Sequence, residues 1–138
     1  MFPQTKHMDT LFSGKVVKGN QIGRTIGFPT ANLQPDTAVK LPKGVFACRV
    51  VLPGAENVFL PAMMNVGTRP TVSHTSALCI EVHILDFSGD LYGKTLQVEI
   101  VAQIREEHRF AGLDELRQNL EKDRTEARRL LSESSSLA

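Results

Sequence analysis

The sequence predicts an antiparallel β domain, a barrel or a sandwich, closed by one amphipathic C-terminal helix. Three observations carry this. Apolar and β-branched runs recur between residues 11 and 102, joined by short turns with no helical pattern among them. Beyond residue 112 the apolar spacing switches to the helical period, with Leu113, Leu116, Leu120, Ala127, Leu130 and Leu131 on one stripe. The 138 residues suffice for one domain with its own core, and no internal repeat divides them.

Taken in order, residues 1–10 carry no period and read as a loose arm. Residues 11–18, with Phe12, Val16 and Val17, read as a first strand. Residues 19–35 are too rich in glycine and proline for a regular element and read as a long, functional loop. Residues 45–52 form a β-branched run stopped by Pro53-Gly54. The next run, residues 58–66, contains Pro61, which suits a sheet edge or a bulge. A polar connection over residues 67–76 follows. Ile80, Val82 and Ile84 then alternate with Glu81 and His83; after the turn Ser88-Gly89-Asp90, Leu96, Val98, Ile100 and Ala102 alternate with Gln97, Glu99 and Val101. The helix is expected over 113–131, with Asp114 and Glu115 in its first turn and Arg128 and Arg129 near its end, as its dipole favours. Its leucine stripe should lie across the sheet, leaving 132–138 as a polar tail.

Composition narrows the function classes. A net charge of +1 supplies no field for nucleic acid or an anionic membrane. Neither a signal peptide nor a long apolar run is present in the sequence, so the expected compartment is the cytoplasm, with Cys48 and Cys79 reduced. The four histidines are too scattered for a zinc site.

The chemistry-bearing residues begin at the glycine-rich loop. Gly19, Gly23 and Gly27 recur every four residues with Arg24 among them. This is no Walker A motif, since no Gly-Lys-Ser/Thr follows; it reads either as a flexible hairpin or as a backbone cradle for an anion. Thr30 and Asn32 stand two apart, so in an extended segment both point to one side, and Pro29 favours that extension in Phe28. They read equally as turn residues or as neutral oxygen donors to Mg²⁺, which would need phosphate oxygens and waters to complete its shell. Glu81 is the one acid within residues 78–85. Such a residue ordinarily marks a solvated face; beside an alcohol it would serve as a general base. The charged stretch 105–110 normally reads as a solvated linker, but Phe110 within it could stack on a planar ligand.

Several segments together resemble the riboflavin kinase family. They are Gly14-Lys15-Val16-Val17-Lys18-Gly19, Gly23-Arg24-Thr25-Ile26-Gly27-Phe28-Pro29-Thr30-Ala31-Asn32 and Asn65-Val66-Gly67-Thr68-Arg69-Pro70-Thr71. Glu81-Val82-His83-Ile84-Leu85-Asp86-Phe87, Asp90-Leu91-Tyr92-Gly93 and Ile104-Arg105-Glu106-Glu107-His108-Arg109-Phe110 complete the set. The resemblance implies a six-stranded antiparallel Greek-key barrel with a C-terminal helix. It also implies transfer of the γ-phosphate of ATP to the riboflavin 5′-hydroxyl, giving FMN and ADP. By position, Glu81 would be the catalytic base, and Thr30 and Asn32 would contact Mg²⁺ and the phosphates. Gly19, Arg24, Ile84, Asp86 and Tyr92 would line the nucleotide site, and Arg105, His108, Phe110 and Gly112 the flavin side. Gly112 stands where relatives often carry serine, and His108 replaces a more usual basic or polar residue.

Many bacterial relatives carry a nucleotidyltransferase (FAD synthetase) domain in front. Here the kinase motif begins within the first twenty residues, so the chain reads as a stand-alone monomeric kinase or as a piece of a longer protein. Two other readings stand beside the enzyme: a barrel that binds a flavin or nucleotide without chemistry, and a single-strand nucleic-acid barrel. The second would need a basic groove with several exposed aromatics, which this composition does not favour.

Overall fold

The computed structural model describes residues 7–18, 27–36, 40–55, 58–70 and 76–135. Six strands, β1 (His7–Val17), β2 (Ala31–Pro35), β3 (Gly44–Val51), β4 (Leu60–Pro70), β5 (Ser76–Ile84) and β6 (Thr95–Arg105), precede one helix, α1 (Leu113–Ser135). The strands close into a barrel in the order β1-β2-β5-β4-β3-β6, every pair antiparallel. β3, β4 and β5 form a meander and β6 returns beside β3, which is the Greek-key order. Closure leaves no edge for another chain to extend.

Alternation along the strands sorts side chains between two cores. Phe12, Val16, Leu33, Phe46, Met64, Ile80, Val82, Leu96, Val98 and Ile100 fill the barrel interior. On the outer wall, Ala47, Met63, Leu85, Val101 and Ala102 meet Phe28 and the helical residues Ala127, Leu130 and Leu131. β3 is therefore buried on both faces, apart from half-buried Arg49.

Several sequence expectations shift: residues 31–35 of the stretch read as a loop form β2, and the ends of the stretch read as a connection over 67–76 belong to β4 and β5, because each finds antiparallel partners. β1 begins at His7, within the stretch read as a loose arm, because His7 and Thr10 find partners in Ala102 and Ile100 of β6. Ala102 does not continue the inward series: the β3–β6 register passes from Ala47↔Ala102 to Cys48↔Ile100, and this bulge turns Val101 and Ala102 together toward the helix. α1 runs on to Ser135, so Arg128 and Arg129 lie ahead of its last turn, where they bridge Asp86 and the helix's own Glu126 and Glu133. Pro61 sits not at an edge but in a closed barrel near the start of β4, at the end of its pairing with β5, where Leu85 N–H donates to the Pro61 carbonyl.

Candidate active site

A transverse row of the barrel wall joins the residues singled out by sequence. Asn32 in β2 stands directly opposite Glu81 in β5, and Glu81 stands opposite Asn65 in β4. Directly paired residues present their side chains to the same face. Leu33, Ile80, Val82, Met64 and Val66 fill the interior, so Asn32, Glu81 and Asn65 face outward. The row continues from Asn65 to Val45 in β3 and on to Arg105 in β6. Three strand spacings separate Glu81 from Arg105, about 14 Å along the curved wall.

Thr30 lies one residue ahead of β2 and is half-buried. The segment leading to it is held firmly. Phe28 is 3% exposed in the helix-side core, with the His83 ring tilted against it at 5.2 Å and the Arg124 guanidinium 5.0 Å from its centroid. His83 Nδ1 lies 2.7 Å from the Pro29 carbonyl oxygen. That oxygen can only accept, so Nδ1 carries the proton. Burial pushes the His83 pKa down and Arg124 adds to this, against the opposing pull of the Pro29 carbonyl and Asp86. Gly27 opens the segment at φ 86°, a left-handed conformation that suits glycine.

At the other end of the row, Arg105 makes a forked contact with Asp123 of α1 at 2.9–3.1 Å. Asp123 is 3% exposed. The Arg105 guanidinium also lies over the Phe110 ring at 5.3 Å, and His108 meets the edge of that ring at 4.9 Å. The stretch 106–112 crosses β4, for a Cβ on Gly67 would come within 2.6 Å of the Glu107 carboxylate. Gly67 shares the outward face of Asn65, so this connection lies over the wall beside the row. Gly112 is the N-cap of α1: its carbonyl accepts from Leu116 N–H, while Glu115 accepts from Ala111 N–H.

The other expected positions are more dispersed. Ile84 turns into the barrel interior. Asp86 follows β5 in a left-handed conformation (φ 55°), exposed, with Arg128 at 2.7 Å. Tyr92 is exposed in the turn before β6, with Lys18 Nζ 5.7 Å from its ring centroid. Gly19 and Arg24 lie outside the described residues. Four participants escaped the sequence reading: Asn65, which carries no chemical signature alone; the Phe28–Arg124 contact; and Asp123, an acid within a helical stripe otherwise read as apolar.

Thr30 and Asn32 fit magnesium only with a phosphate ligand. Both supply neutral oxygens, and among the described residues no group of three acids, histidines or cysteines could hold a bare ion. Among those residues, too, no helix is long and apolar enough to cross a membrane.

Comparison with known proteins identifies the family and the fold. The family model described as Flavokinase: Riboflavin kinase matches residues 7–131. A bifunctional riboflavin kinase/FMN adenylyltransferase of Escherichia coli K12 is 47% identical over 116 residues, 84% of this chain and 36% of that protein. The chain thus spans about a third of that relative's length. Among solved structures, a Streptococcus pneumoniae chain described as a macrolide-efflux protein superposes with TM-score 0.77 at 35% identity, covering 86% of this chain and 38% of that one. Riboflavin kinase from Trypanosoma brucei superposes with TM-score 0.61 at 28% identity, covering 88% and 79%.

Proposed function

The chain belongs to the riboflavin kinase family, and from that premise we propose that it transfers the γ-phosphoryl group of ATP to the 5′-hydroxyl of riboflavin, releasing FMN and ADP. One observation carries the reading: the pairing of Asn32 with Glu81 on an outward row that runs on to Arg105. An acid that can take a hydroxyl proton stands beside an oxygen donor suited to a metal–phosphate complex. The far end of the row lies at a reach matching an extended ribityl chain and its ring system.

Phosphoryl transfer asks the protein mainly for alignment and charge stabilisation. Thr30 and Asn32 would hold the Mg·ATP phosphates, and by family resemblance Gly19 and Arg24 would belong to the same nucleotide site. Mg²⁺ held there by Thr30 and Asn32 together with the phosphates would supply charge neutralisation to the transferring group. Glu81 accepts the 5′-hydroxyl proton as the oxygen–phosphorus bond forms and the bond to the β-phosphate oxygen breaks. Asp86 and Tyr92 flank the nucleotide, while Ile84, turned into the barrel interior, is left out of that site; Phe110 offers an aromatic face to the flavin, with Arg105, His108 and Gly112 shaping that end. An FMN adenylyltransferase, fused or separate, is the fitting consumer of the product, and the cytoplasm is the fitting compartment.

Incubation with riboflavin and Mg·ATP, followed by chromatography, tests this. FMN appearing in proportion to enzyme supports the kinase. Tight flavin or nucleotide binding without FMN would replace it with a binding module.

A further inference from the structure

Resting on Thr30 and Asn32 as the Mg·ATP contacts, we propose that His83 is the positioning residue of that grip, with Arg124 as its second support. His83 lies two residues beyond Glu81 on the same outward face of β5, and its partner across the ladder is Met63 of β4. It therefore joins the strand bearing the base to the segment bearing the metal-side oxygens. The link is specific: a 2.7 Å bond from Nδ1–H to the carbonyl of Pro29, the residue immediately ahead of Thr30.

The ring is 8% exposed and Phe28 3%, so water competes poorly for that bond. Pro29 has no N–H, and its own φ is fixed by its ring; the carbonyl is the group by which its orientation can be held from outside. From α1, Arg124 lies over the same Phe28 at 5.0 Å. Phe28-Pro29 is thus clamped between β5 and the helix just before β2 pairs Ala31 with Val82 and Asn32 with Glu81. Loss of the bond frees the Pro29–Thr30 peptide to rotate while the ladder from Ala31 onward stays paired. Thr30 would then leave the side it shares with Asn32, and the two oxygens would cease to converge.

Two substitutions separate positioning from packing. His83→Leu removes the donor and keeps an apolar body; His83→Asn keeps an N–H near the place of Nδ1. Mg·ATP affinity by calorimetry should fall about tenfold in His83→Leu, the worth of one buried hydrogen bond, and recover most of that loss in His83→Asn. KM for Mg·ATP should follow, with KM for riboflavin unchanged. If both variants lower the thermal midpoint alike while Mg·ATP affinity stays at the wild-type value, His83 is packing only and the proposal fails. Arg124→Gln, on the half-exposed helix face, supplies a milder variant; unchanged Mg·ATP affinity there removes Arg124 from its role. Absence of Mg·ATP binding by the wild-type protein would instead overturn the reading of Thr30 and Asn32 beneath the proposal.

Discussion

His83 shows how much one side chain can reveal about its own protonation. Folding lowers its pKa, so near and below the ordinary value of about 6.5 the unfolded chain binds a proton that the native ring resists. Stability contributed through the neutral ring is complete above that value and declines as pH falls toward the lower, native pKa. The stability gap between wild type and His83→Asn should therefore narrow as pH falls from about 7.5 through about 6.5. A gap independent of pH would show that the ring does not titrate as its burial requires. Thr30→Ala makes a different claim. Mg·ATP affinity and turnover should fall together, and unchanged values of both would remove Thr30 from the metal-side contact. The sequence shows that Thr30 and Asn32 share a parity, as do Glu81 and His83. It cannot show that one pair faces the other, since β2–β5 register depends on contacts between distant parts of the chain.

β2 illustrates the limit at the scale of elements. Five residues, one of them Pro35, follow a segment crowded with glycine and proline, and local propensity reads the whole as loop. The strand exists because β1 and β5 flank it and bury Leu33, a tertiary effect invisible to propensity. α1 was more legible, because its apolar spacing repeats over several turns. Leu130 is 3% exposed, and Leu130→Ala should cost about 2–5 kcal/mol in denaturant unfolding, near the lower figure if the outer wall collapses into the space. Asp123 holds Arg105 from within the same helix. Asp123→Ala should lower stability by about 1–3 kcal/mol, less than for a fully buried pair, since the Arg105 side chain keeps 24% of its exposure. It should also raise KM for riboflavin, because it releases the guanidinium that lies over Phe110. A stability loss with unaltered flavin KM would confine Arg105 to a structural role. Gly44, at φ 143° with the Arg105 carbonyl 2.7 Å from where a Cβ would stand, ties the start of β3 to this same corner.

For the whole molecule, the strand texture and the late change of period already pointed to an antiparallel barrel or sandwich with a helix. Closure and Greek-key order entered through family resemblance. The barrel acts as a scaffold: its interior is sealed by apolar side chains, and the candidate chemistry is arranged on its exterior across neighbouring strands. Such a row is stiff, because Asn32, Glu81, Asn65 and Val45 are each paired to a strand on both sides. The account therefore depends on the proton acceptor beside Asn32 in that row, and its turnover measures that directly. With riboflavin and Mg·ATP saturating, Glu81→Gln should lower kcat at least ~100-fold while the affinity for Mg·ATP remains close to wild type. Near-normal turnover by that variant would contradict the assignment of the outward row as the reaction centre.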